Sequence, residues 1–145
     1  MAIMTTSITG IDKALSGVKS NYDKIINEID HEVNASFLLM EATAKAAFEL
    51  NLPEIRNSIR AKKNGFLNYS LIAGKGNSPL AAYIEFGTGK YFNSYPGKEK
   101  EWQDLAYKYI KNKRGVTASH PYLYPSFKSG MVSLISNIKQ VIKRG

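Results

Sequence analysis

One face of a long α-helix is laid out in the first third of the chain. Ile11, Leu15, Val18, Tyr22, Ile25, Ile29, Val33, Phe37, Met40, Ala44 and Ala47 recur at spacings of three and four, the period of an amphipathic helix. Thr9 with Asp12 three residues on resembles a capping signal at its start, and Pro53 is the expected stop. Unbroken, a helix of about 38 residues runs roughly 57 Å. A compact domain of 145 residues has a diameter of only about 35–40 Å. The helix must therefore bend, break or project. Ser16–Gly17 offers a break. Projection needs a partner over the apolar stripe, which points to an oligomer.

After the stripe the period shortens. Ile55, Asn57, Ile59 and Ala61 alternate with polar neighbours, and Asn64–Gly65 is a strong hairpin signal, so Phe66 to Ala73 reads as a return strand. Residues 74–79 are a loop by composition. Ala81 to Phe86 reads as a third strand, closed by Gly87-Thr88-Gly89, and 91–97 as a loop. Lys98 to Lys111 reads as a short helix with Trp102, Leu105, Ala106 and Tyr109 on one side and a basic, glycine-terminated end at Gly115. His120 to Pro125 is too proline-rich for a helix; Ser126 to Lys143 returns to the helical period through Met131, Leu134, Ile135, Ile138 and Ile142. The order predicts an α+β fold, a long N-terminal helix and a C-terminal helix packed on a small antiparallel β-sheet, with residues 1–145 forming a single domain.

Composition narrows the function classes. The chain has no cysteine, which removes disulfides and thiolate zinc sites. Its start carries no basic residue before Gly10, so no secretory signal is expected. Its most apolar stretch, Ala35 to Leu50, is interrupted by Glu41, Lys45 and Glu49, so no membrane contact is expected. The net charge of +8 is uneven: residues 1–50 carry −3 and the remainder +11. Such a division suits copies packing against one another or against oppositely charged neighbours, and equally suits two solvated faces.

The chemistry-bearing residues do not assemble into a catalytic pattern. Gly87-Thr88-Gly89-Lys90 resembles part of a phosphate loop, but Ile84 stands where the first glycine is needed and Tyr91 where a hydroxyl must hold magnesium. A tight turn explains the glycines. His31 and His120 lack cysteine or clustered carboxylates around them, so no metal and no cofactor is expected. His31 is expected on the polar side of the first helix and His120 at the turn before Pro121. Glu85, between Tyr83-Ile84 and Phe86, suits a buried or interface ion pair better than a catalytic acid, having no second carboxylate beside it. Tyrosines interleave with Lys and Arg from Tyr91 to Tyr124, a composition shared by sequence-independent nucleic-acid binders and by protein–protein interfaces.

Two segments carry a family resemblance. Ala82-Tyr83-Ile84-Glu85-Phe86-Gly87-Thr88-Gly89 resembles the Y-[VI]-E-[FY]-G-T signature of the small neck, or tail-completion, proteins of long-tailed phages. His120-Pro121-Tyr122-Leu123-Tyr124-Pro125-Ser126 is similar to their downstream P-F-L-x-P-A segment, with Tyr122 for Phe and Ser126 for Ala. Leu52 to Ile59 is similar to their G-x-L-[RK]-x-S-I strand, with Pro53-Glu54-Ile55 in place of Gly-x-Leu. The resemblance spans roughly residues 10–145 and is weakest from Tyr91 to Ser119.

The resemblance implies a non-enzymatic virion protein of the head–tail junction, made in the host cytoplasm and forming a ring-like homo-oligomer around the DNA channel. Its implied partners are further copies of itself, other phage connector and tail proteins, and, without sequence preference, DNA in the channel. A tail-terminator subunit and a basic DNA-binding accessory protein are the alternatives. Among the motif residues, Glu85, Phe86, Gly87, Thr88 and Gly89 form the expected turn. Pro121, Tyr122, Leu123, Tyr124 and Pro125 form a proline-stiffened extended segment whose large side chains serve either as docking anchors or as this subunit's own core.

Overall fold

The computed structural model describes residues 22–74, 80–88, 99–109 and 118–144. The N-terminal capping signal, the Ser16–Gly17 break and Gly89 lie outside them. The elements are α1 (Tyr22–Ala47), α2 (Pro53–Ser58), β1 (Arg60–Gly65), β2 (Asn68–Ile72), α3 (Leu80–Phe86), α4 (Lys100–Tyr109) and α5 (Leu123–Arg144). The long first helix and the last helix pack with a two-stranded antiparallel sheet, the α+β arrangement expected.

α1 carries the stripe read from the sequence: Ile25, Ile29, Val33, Phe37, Met40 and Ala44 are all buried. α5 runs antiparallel beside it. Met40 lies against Gly130, the Phe37 and Phe127 rings sit 6.3 Å apart, and at the other end Ile25 and Val141 line one groove. Tyr69 of β2 closes on Phe37 at 5.7 Å, and Trp102 of α4 on Phe127 at 6.0 Å. The core is therefore aromatic where α1, α4, α5 and the hairpin meet, and such ring pairs stabilise beyond the area they bury.

The hairpin lies along α1 and is tied to it by two acidic residues three helical turns apart. Glu41 accepts the Ala61 amide at 2.7 Å, which closes an outer position of β1 to further pairing. Asp30 accepts the Leu67 amide at 2.9 Å, the Tyr69 hydroxyl at 3.2 Å and the Lys63 ammonium at 2.7 Å. Burial pushes the Asp30 carboxyl up, but the bonds from Lys63, Leu67 and Tyr69 outweigh it, and its pKa lies below the ordinary value.

Four local expectations are corrected. Residues 55–58 are helical: Pro53 opens α2 instead of ending α1, which stops at Ala47. Proline suits a first helical position, where its missing N–H is not needed, and Ile55 and Ile59, both buried, are also one helical turn apart. The hairpin turn falls on Phe66–Leu67, two residues beyond Asn64–Gly65. Leu67 takes φ +55°, uncommon for a branched side chain, because Asp30 holds its amide and its side chain is buried.

Ala81 to Phe86 is the helix α3 and not a third strand. Five of its seven residues are buried, so the segment has neither the alternation of a strand nor the stripe of a surface helix. Its C-terminus is a glycine cap: the Gly87 amide donates to Tyr83 O at 2.8 Å and Gly87 takes φ +75°. Finally, Leu123 to Pro125 is the first turn of α5 and not an extended strand. Proline is tolerated there because first-turn amides have no intrahelical acceptor.

Candidate functional site

The two segments that carry the resemblance meet, and Glu85 joins them. Its side chain has no solvent exposure. Oε2 accepts the amides of Tyr122 and Leu123, each at 2.8 Å, and Oε1 accepts the amide of Tyr124 at 2.9 Å. These are the groups a helix leaves unpaired at its N-terminus, and the helix dipole favours a negative charge there. A carboxylate from α3 thus caps α5 from across the fold, where a cap ordinarily comes from the residue just before the helix.

Further bonds lock the same junction. Ser119 Oγ donates to Glu85 O at 2.8 Å, the His120 amide to Ile84 O at 2.7 Å, and the Tyr122 hydroxyl to Ala81 O at 3.0 Å. Ser126 Oγ donates to Tyr122 O at 2.7 Å. Burial, reinforced by the Glu85 charge, pushes the Tyr122 phenol well above its ordinary pKa, so it stays a neutral donor. Gly87 is required by space as well as by φ: a Cβ there would stand 3.0 Å from Ser119 N and 3.2 Å from its Cα and Cβ.

Phe86 and Thr88 are buried beside Glu85, and Pro121 is half-buried. Tyr122, Leu123 and Tyr124 face the subunit's own interior, at 0%, 1% and 6% exposure, with only Pro125 outside. Between docking anchor and core, this structure places the three side chains in the core. Tyr122 packs edge-on against Phe48 at 5.0 Å and Tyr124 against Trp102 at 5.2 Å. Buried in this way, neither tyrosine can present its ring to a nucleic-acid base. The burial expected of Glu85 is found, and main-chain amides share its carboxylate.

A second cluster, which the sequence did not signal, fastens α4 to α5. Tyr124 Oη donates to Glu99 at 2.8 Å, and Lys128 Nζ reaches Glu99 at 2.9 Å and Tyr124 Oη at 3.0 Å. The Lys128 bond, with Tyr124's, draws the exposed Glu99 carboxyl down to about 2. Solvent screens such a pair, so it orients more than it stabilises.

His31 is exposed on α1, as expected, and lines a groove of about 560 Å³ with Lys24, Ile25, Glu28, Glu32, Val141 and Arg144. His120 is exposed and contributes its amide to the turn before Pro121. Among the described residues no group of three or more His, Asp or Glu side chains is placed to hold a metal, and no helix is long and apolar enough to cross a membrane. Chemically, the buried carboxylate cradle is suited to fixing the start of one helix against the end of another. Comparison with models of known protein families, with curated proteins and with solved structures yields no match.

Proposed function

We propose that the chain is a structural subunit of a phage head–tail junction, a neck or tail-completion protein that assembles with copies of itself and with connector and tail proteins, and that it has no catalytic role. The observation that supports this reading is the junction at Glu85. The two segments that resemble the neck-protein signatures, separated by some thirty residues in sequence, form one buried unit in which the carboxylate of one receives three amides of the other. A motif pair whose residues interlock in this way is more specific than either short motif alone. The net charge of +8 fits passage of DNA without sequence preference.

Deletion of the coding sequence from a phage genome that carries it tests the reading. Electron microscopy should then show DNA-filled heads and separate tails. Joined, infectious particles in normal yield would refute it. Tails of irregular length in place of unjoined ones would favour a tail terminator. Normal particles together with steeply salt-dependent DNA binding by the purified chain would favour an accessory DNA-binding protein.

A further inference from the structure

Two helix faces, each with an exposed apolar centre, have matching spacing and opposite charge. On α1, Glu28, Glu32, Ala35, Leu39, Ala42 and Ala46 follow one another at alternating steps of four and three. That is the spacing of a coiled-coil seam, and it flanks the buried stripe: Glu28 and Glu32 are half-buried at the groove they share with Val141 and Arg144 of the same copy, and Leu39 stands at the edge of a second groove beside Ser129 and Ser133. Leu39 is 65% exposed, the flanking Leu38 53%, and Ala35, Ala42 and Ala46 are exposed with them. On α5, Lys128, Val132, Ile135, Lys139 and Ile142 show the same four-three steps. Val132 is 68% exposed, Ile135 48% and Ile142 40%. Each seam has an apolar centre; the first is acidic at its start and the second basic toward its end.

We infer that the α1 seam of one copy docks antiparallel on the α5 seam of a second copy. In the register that sets Leu39 against Val132, Ala35 falls beside Ile135, Glu32 opposite Lys139 and Glu28 opposite Lys143. Ala35, Ala42 and Ala46 let the helix axes approach while Leu39, Val132 and Ile135 fill the seam. Antiparallel alignment also opposes the helix dipoles favourably. The charges fix partner and register, since like charges would face one another if α5 met α5. The pairing deepens the proposed homo-oligomer by assigning its surface, and it rests on that reading. One copy presents both seams, so contacts propagate into a ring or close as a pair, depending on the angle between them.

The test is sedimentation analysis of the full chain over a range of concentrations at low salt. Leu39→Asp and Val132→Asp should each weaken association at least about tenfold while far-UV circular dichroism stays at wild type, because both side chains are exposed in the subunit. The pair Glu28→Lys with Glu32→Lys in one chain, and Lys139→Glu with Lys143→Glu in another, should each abolish self-association. An equimolar mixture of the two should restore it. An oligomer indifferent to all of these changes overturns the seam pairing and leaves the oligomer standing. Folded single variants whose mixture fails to associate also overturn it. A wild-type chain that stays monomeric at every concentration removes both the pairing and the homo-oligomer.

Discussion

Replacing Glu85 with Gln is the most informative perturbation of the fold. The side chain keeps its shape, but one carboxylate oxygen becomes an NH₂ donor. If that atom takes the Oε1 position, the Tyr124 amide faces a donor; if it takes Oε2, both Tyr122 and Leu123 do. A buried amide left without an acceptor costs about 1–3 kcal/mol. Removing the negative charge from the N-terminus of α5 costs up to about 2 kcal/mol in a buried setting. The two overlap, so the variant should lose about 2–4 kcal/mol. That is a large part of the roughly 5–15 kcal/mol that holds a domain together, and should lower Tm on the order of 10 °C. Glu85→Ala strips all three amides and opens a cavity, and should cost more still. Urea unfolding followed by far-UV circular dichroism measures the loss. Glu101→Gln, an exposed carboxylate in the first turn of α4, serves as the control. A Glu85→Gln midpoint equivalent to wild type within about 0.5 kcal/mol would refute the cap as a stabilising element.

Gly87→Val should destabilise by about 1–3 kcal/mol, since φ +75° and the Ser119 backbone both oppose a branched side chain; a wild-type thermal midpoint would contradict this. Leu123→Ala should cost about 2–5 kcal/mol and leave the isolated subunit poorly folded, as a core residue does; a folded, fully stable variant that only fails to assemble would return Leu123 to the interface. Asp30, whose folded pKa lies below its unfolded one, contributes stability that is present above the unfolded value and lost as pH falls through the folded one. The urea midpoints of wild type and Asp30→Asn should therefore differ at neutral pH and converge as pH falls below the ordinary carboxylate range; a constant gap would show that the hairpin clamp does not depend on the Asp30 charge.

What the sequence made legible follows from periodicity. α1 and α5 each bury one stripe and leave another face wet, so a three-four spacing survives in the order of residues. The hairpin was visible from its turn residues, but its register was not. Asn64 bonds across the hairpin to Ser70, and Asp30, distant in sequence, captures Leu67, so the turn falls two residues along. α3 was illegible for the opposite reason: a helix buried nearly all round carries no stripe. Two local signs did point to it, the helix-favouring pair Ala81–Ala82 and a glycine just past the end. The prolines at 121 and 125 argued against a helix, yet a first turn needs no amide at Pro125. Asp30 and Glu41 stood in view as acidic positions beside the buried stripe, three turns apart, and nothing local said that a hairpin would use them.

The Glu85 junction also bears on where function resides. The motif residues that make its contacts are turned inward: the carboxylate to α5, Gly87 to Ser119, Tyr122 to Ala81 and Phe48. Such residues determine the angle at which α5 leaves α3, and through it the line that α5 takes along α1. Shifting that line by one helical position would carry Val132 and Ile135 inward and bring buried Leu134 to the surface. The brace thus sets which residues α5 shows to solvent, while the exposed seams offer contacts to another chain. On this division, damage to Glu85 or Gly87 should appear as loss of folding, and damage to Leu39 or Val132 as loss of assembly by a folded subunit. The order of these two failures, measured on the same preparation, separates residues that build the subunit from residues that join it to its neighbours.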